Sequence, residues 1–497
     1  MNSFIILYVL AIPVLTALIC YFAYRHSVAA VVSAAGSLLL AAAASMSVAA
    51  SFKSPLKLFN GMLFMDPLSG YMMSIIVLLG LASSLYSAGY LKHELHSGLT
   101  SMKNIRRYYA LLHIFIFTML LVTVSNNLAL MWIAIEATTL VSALLIGLGV
   151  YKRELAIEAA WKYIILCSVG ITFALLGVFI TYYASFGLNT GNGILNWTEL
   201  KEIASKLNPA TMKLAFIFII IGYGTKAGLA PLHNWLPDAH SQAPSPISAL
   251  LSGVLLNTAF YGILRFVSIV EPSAGSKFTG DLLVFFGIAS MIIASVFILV
   301  QKNYKRLLAY SSIEHMGIIS IAAGIGGVAA LYGALLHVLN HAVAKPLMFF
   351  ASGRIQSRYG TSKIDSVCGV LKAAPLLGCI IFIGVFALAG SPPFNIFISK
   401  FSILMAAADN GQWTLVTMFL IFSAVVFYGM VKCFGRMLFG CSEEAPECTD
   451  SYPPDLWDRI GTGVMFCLAV IIIVTGLWLP EFINNAIKTC TAVIGAF

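Results

Sequence analysis

The chain has 497 residues, of which 60% are hydrophobic and only 10% charged, with a mean hydropathy of +0.93. Soluble domains carry roughly 25% charged residues, so a water-facing globule is excluded and the bilayer is the solvent. The excess of 29 basic over 20 acidic residues is spread over short connections rather than clustered, which points to membrane topology and not to nucleic-acid binding.

Apolar runs long enough to cross a hydrocarbon layer of about 30 Å recur along the whole chain. Taken in order they fall near 3–23, 28–50, 67–90, 109–124, 127–150, 159–184, 212–232, 243–270, 281–300, 307–326, 329–352, 376–408, 413–440 and 460–480. The expected fold is therefore an all-α polytopic membrane protein of about fourteen transmembrane helices. Residues 3–23 lack a basic leader and a small-residue cleavage site, and are read as a retained span rather than a signal peptide. The nine cysteines show no metal-binding spacing; even Cys441 and Cys448, the closest loop pair, have no neighbours that would support a site.

Alternate connections differ sharply in charge. One side holds Arg25, Lys92, Lys103, Arg106, Arg107, Lys152, Arg153, Lys302, Lys305, Arg306 and further basic residues, the other only a few lysines. The positive-inside rule makes the first side cytoplasmic and puts both termini outside.

Three spans carry helix breakers: the seventh at Gly228 and Pro231, the eighth at Pro244 and Pro246, the twelfth at Gly390, Pro392 and Pro393. Backbone freed by such breaks cannot face lipid and is expected to line a hydrated interior. The seventh and twelfth breaks sit at matching places in two five-span blocks, 109–270 and 271–440, after an N-terminal three-span segment (1–108) and before a cytoplasmic loop and last span (441–497). An odd number of spans per block makes the second copy inverted, a transporter architecture.

Glu136 and Glu314 are the acidic residues expected well inside spans, and Lys226, Lys345 and Lys400 the basic ones. Such residues are costly in hydrocarbon and by default mark function. His337, His341 and Lys345 are four apart and share one helix face. Imidazole donates at one nitrogen while accepting at the other and titrates near neutrality, so this ladder can relay protons between waters. Burial favours a neutral amine and a nearby carboxylate favours the ammonium, so a Glu136–Lys226 pair would act as a switch, holding the proton when closed and releasing it when open. Glu314 with His315 reads either as a relay or as a satisfied pair. Asp238 and His240 are expected in a cytoplasmic loop, where they would cap or gate.

The segment GYGTKAGLAPLHNWLPDAHSQAPSPISALLSGVLLNTAFYGILR, from Gly222 to Arg265, resembles the antiporter-like membrane subunits shared by respiratory complex I, multisubunit Na+/H+ antiporters and energy-converting membrane hydrogenases. WIAIEATTL around Glu136, NYKRLLAYSSIEHMG at 303–317, HVLNHAVAKPLMFFASG at 337–353 and AGSPPFNIFISKF at 389–401 extend the likeness over most of the chain. The IEHMGI and LLNTAFY segments are most similar to the hydrogenase-4 component F type of formate hydrogenlyase-like complexes.

The resemblance implies that Glu136 and Lys226 form the charge pair of spans five and seven. It also implies that His337, His341 and Lys345 lie on a central hydrated axis, and that Lys400 is the terminal residue facing the outlet. Where many complex I relatives carry a lysine or histidine in the eighth span, this chain has Asn257, which holds no proton at neutral pH. A short tail after the last span, without a lateral arm, suits an inner or short subunit. No flavin, nickel or iron–sulfur motif is present, so such cofactors would belong to partner subunits. Expected partners are sister antiporter-like and anchor subunits, a peripheral redox arm, protons or Na+, and the lipid of a prokaryotic cytoplasmic membrane, with no nucleic acid. A Na+/H+ antiporter subunit and a non-transporting anchor are the competing functions.

Overall fold

The computed structural model describes residues 2–188, 194–440 and 455–495. Cys441, Cys448 and most of the connection 441–459 lie outside the described residues. Apart from one small hairpin, β1 (Leu56–Leu58) paired antiparallel with β2 (Leu63–Met65), the regular structure is helical.

The helices before the first break are α1 (Ile5–Tyr21), α2 (His26–Ser51), α3 (Pro67–His96), α4 (Met102–Val124), α5 (Leu128–Ile146) and α6 (Arg153–Ala184). A short α7 (Trp197–Ile203) precedes α8 (Pro209–Ala227) and α9 (Leu236–Gln242). Then come α10 (Ser245–Leu250), a π-helical turn (Leu251–Leu255) and α11 (Leu256–Ala274), which run on as one rod. The second half holds α12 (Ser276–Leu299), α13 (Tyr304–Ile325), α14 (Gly327–Tyr359), the single turn α15 (Val370–Ala373), α16 (Pro375–Ala389), α17 (Asn395–Asp409), α18 (Trp413–Phe439), α19 (Leu456–Leu477) and α20 (Glu481–Ile494). Among the described residues, 12 helices are long and apolar enough to cross a membrane, and Ile5–Tyr21 and Pro375–Ala389 are shorter apolar helices.

Local chemistry sets many helix starts. Asp66 caps α3 by accepting from the Ser69 amide at 2.9 Å, Asn127 caps α5 and Asn303 caps α13. Each side-chain oxygen satisfies an amide that the first turn leaves without a partner. Two of the three expected breaks are present. Gly228 (φ +75°) ends α8 and Gly390 (φ +82°) ends α16 in the left-handed conformation, which glycine adopts without a Cβ penalty.

The eighth-span break expected at Pro244 and Pro246 is not there. Pro244 is the N-cap residue of α10 and Pro246 sits in its first turn, where a missing N–H costs no intrahelical bond. What interrupts the regular ladder instead is the π turn further along.

The interior rod from Ser245 to Ala274 is enclosed by protein over its whole apolar window, whereas α18 and α19 leave most of theirs uncovered for lipid. The tightest helix pairs are built on small residues. On α12 and α13, a Cβ added at Gly287 would lie 2.7 Å from the Gly317 carbonyl oxygen, and one at Gly317 would lie 2.7 Å from that of Gly287. Glycine at both places lets the backbones approach, as membrane helix pairs require in the absence of a hydrophobic driving force.

Candidate functional site

Six interior polar residues come together around α13, α14 and α17. Glu314, His315, His337, His341 and Lys345 are fully shielded from solvent and Lys400 is nearly so. Lys400, on the second half of the broken span, donates to Glu314 Oε1 at 2.8 Å, a buried ion pair. A Cβ at Gly390 would come within 2.9 Å of Lys400 Cδ, so the break also leaves room for the lysine stem. His315 Nδ1 and His337 Nε2 are 3.0 Å apart, and His337 Nδ1 lies 2.9 Å from Ser399 Oγ. Ser399 precedes Lys400, so this chain of bonds runs from α13 through α14 to α17.

The one-face ladder therefore has a different wiring from the one its spacing suggests. His337 and His341 do not bond each other; His315 stands against both, with ring centroids 5.1 Å from each. Neither nitrogen of His341 has a hydrogen-bond partner in the structure. Both nitrogens, which can hold or pass a proton, are thus without protein partners among the described residues. Lys345 donates to the Leu308 carbonyl at 2.8 Å and to Ser311 Oγ, so its ammonium is held at α13 rather than by a carboxylate.

The first block differs. Lys226, fully buried in the last turn of α8, donates to Thr139 Oγ1 at 2.8 Å and to the Tyr163 hydroxyl. Tyr163 in turn lies 2.7 Å from Ser142 Oγ. Glu136 is half-buried, accepts from Ser168 Oγ at 2.7 Å and leaves its second oxygen without a partner. No ion pair joins Glu136 to Lys226 among the described residues, so the expected pair is open here. Thr139 lies one turn beyond Glu136 and supplies an oxygen that can hold the ammonium in the acid's absence.

Asn257 is buried just after the π turn, and its amide nitrogen donates to the Gly253 carbonyl at 2.8 Å. It thus serves the backbone of the irregular turn. His240 is not in an exposed loop. It lies in α9, fully buried, because the break after α8 folds this segment back into the protein. Asp238, two residues earlier, remains partly exposed and reaches Lys162 (3.5 Å) and Arg306 (3.2 Å).

Several charged residues escaped the sequence reading. Glu94 near the end of α3 and Lys305 at the start of α13 are both buried, although they looked like loop-side charges. At the other end of the bundle Arg265 makes a bidentate pair with Asp66 at 2.6 and 2.7 Å, braced by Ser69 and stacked on Trp197. The signal available for that pair was an arginine inside an otherwise apolar run and an aspartate before a proline.

A family profile described as NADH:quinone oxidoreductase/Mrp antiporter, transmembrane, matches residues 125–426, which include every residue just described between Glu136 and Lys400. The chain belongs to this family. It is 41% identical over 362 residues to a hydrogenase-4 component F homolog of Methylacidiphilum infernorum (isolate V4), covering 72% of this chain and 74% of that one. It is 29% identical over 437 residues to NADH-quinone oxidoreductase subunit N of Desulforudis audaxviator, covering 86% and 84%. Its structure superposes with a TM-score of 0.84 on a chain of the membrane-bound sulfane sulfur reductase, an archaeal respiratory membrane complex, at 26% identity and covering 98% of this chain and 97% of that one. The chain thus shares its multi-pass helical architecture with a subunit of that membrane complex.

Proposed function

We propose that this chain is a proton-translocating subunit of a hydrogenase-type, multisubunit redox complex in a prokaryotic cytoplasmic membrane. The observation that carries the reading is the contrast between its two glutamate–lysine couples: Glu314 and Lys400 are in contact at 2.8 Å, while Glu136 and Lys226 are apart and separately satisfied. A buried pair holds the lysine charged when closed, and separation lets the amine give up its proton. Two such couples in opposite states within one chain are what stepwise transfer requires.

The couples also occupy corresponding places in the proposed inverted blocks. Asn127 caps α5, which carries Glu136, and bridges to Asn196; Asn303 caps α13, which carries Glu314, and bridges to Lys363. Counting α1 as a span and α16 with α17 as one broken span gives fourteen, with both termini outside and the basic connections in the cytoplasm.

The route begins at Glu136 and Lys226, crosses by way of water to Lys345 because Asn257 does not titrate, and continues through His341, His315 and His337 to Lys400. Iron–sulfur, nickel or flavin chemistry would reside in partner subunits of a peripheral arm. A Na+/H+ exchange subunit shares the fold, and the ion decides between them. In vesicles containing the purified complex, redox turnover is expected to build a pH gradient of the same size with or without Na+. A gradient that needs Na+ would replace this reading with the antiporter one.

A further inference from the structure

Four connections on the basic side of the protein, α5 to α6, α9 to α10, α12 to α13 and the segment after α14, enclose a cavity of about 500 Å³. Its lining holds five cationic side chains, Lys152, Lys302, Lys305, Arg306 and Lys363, against one carboxylate, Asp365. That carboxylate is already engaged by Arg436 at 2.6 Å. Arg306 shares Asp238 with Lys162. The balance inside the cavity is strongly positive, and low-dielectric walls focus such a field.

Lys305 makes this more than a solvated basic rim. It is only 2% exposed, yet its ammonium makes no hydrogen bond or ion pair among the described residues, while its backbone amide is held by the Asn303 cap at 2.9 Å. Buried Glu94 of α3 attracts it through space without a hydrogen bond or ion pair, and a buried ammonium lacking a bonded counter-charge is costly unless an anion or ordered water meets it. The other lysines of the lining, Lys152, Lys302 and Lys363, are exposed and able to close over a bound anion.

We propose that this cavity binds a phosphate-bearing anion, with Lys305 as its central ligand and Lys302, Lys363 and Arg306 around it. Lysine meets phosphate as a point charge and arginine as a planar fork. The phosphate can come from a soluble anion or from a phospholipid headgroup, since the cavity is lined by the connections on the basic side of the protein. This assignment stands apart from the transport route: none of these cations belongs to it.

The test uses the full chain in phosphatidylcholine nanodiscs. One arm titrates inorganic pyrophosphate by calorimetry; the other presents nanodiscs containing phosphatidylglycerol and counts retained lipid by native mass spectrometry. One saturable pyrophosphate site, or one retained phosphatidylglycerol per chain, is expected, and the arm that responds names the source. Lys305→Met should weaken that binding roughly tenfold, the loss of one charge-assisted bond. Because Lys305 is buried, the exposed double variant Lys302→Ser/Lys363→Ser serves as a second probe and should weaken it by about threefold or more with the fold intact. No saturable binding in either arm, or binding that both variants leave unchanged, would overturn the proposal.

Discussion

Lys226 and Lys400 carry the same charge into the same kind of broken span, yet they keep different company, and the difference sets what each substitution should do. Removing Glu314 strands Lys400 as an unpaired buried charge, which costs about 3–5 kcal/mol. Glu314→Gln is therefore expected to lower the thermal midpoint of the purified protein markedly, and adding Lys400→Met should recover most of the loss. Glu136→Gln should leave that midpoint nearly unchanged, because Lys226 is already held by Thr139 and Tyr163. Equal destabilisation by both glutamine variants would remove the distinction between a closed and an open couple. His341 makes a separate prediction. With two unbonded ring nitrogens between Lys345 and His315, His341→Ala should slow proton transfer on the order of tenfold or more; an unchanged rate in single-turnover measurements would return it to packing.

The helices matter because of where they stop being regular. Gly228 and Gly390 place Lys226 and Lys400 at breaks, and the π turn before Asn257 is the kind of irregularity that recurs at functional sites. The α12–α13 contact is the rigid counterpart. Gly317→Ala would drive a Cβ to 2.7 Å from the Gly287 carbonyl oxygen, with an expected cost of about 1–3 kcal/mol in thermal unfolding. It should also disturb Glu314 on the same helix and the Leu308 and Ser311 groups there that hold Lys345 of α14.

Much of this was legible in the sequence, since glycine and proline in an apolar run have few uses and charges in spans have fewer. The seventh and twelfth breaks and the interior position of Lys226, His337, His341, Lys345 and Lys400 follow from those rules. The supposed eighth break failed because proline at a helix start and proline in mid-helix look alike until the boundary is known. Glu94, Lys305 and His240 were misread for a related reason. Near a span end, burial depends on which connection folds over the residue, and that is set by tertiary packing rather than by hydropathy.

At the scale of the whole molecule, the two halves meet with the glutamate–lysine couples in opposite states, with α3 largely enclosed by protein and α2 mostly uncovered. Asp66 and Arg265 fasten α3 to α11. Asp66→Asn should therefore loosen the N-terminal helices while leaving the family core of 125–426 folded, visible as faster hydrogen exchange confined to α3 and α11. The central claim is that protons move through this chain by opening and closing charged couples. Its most direct test is the pH gradient formed by the purified complex in sealed vesicles, comparing the native chain with Lys226→Ala. The account predicts that the variant assembles and keeps its redox turnover but builds no gradient. A full gradient with Lys226→Ala would contradict it.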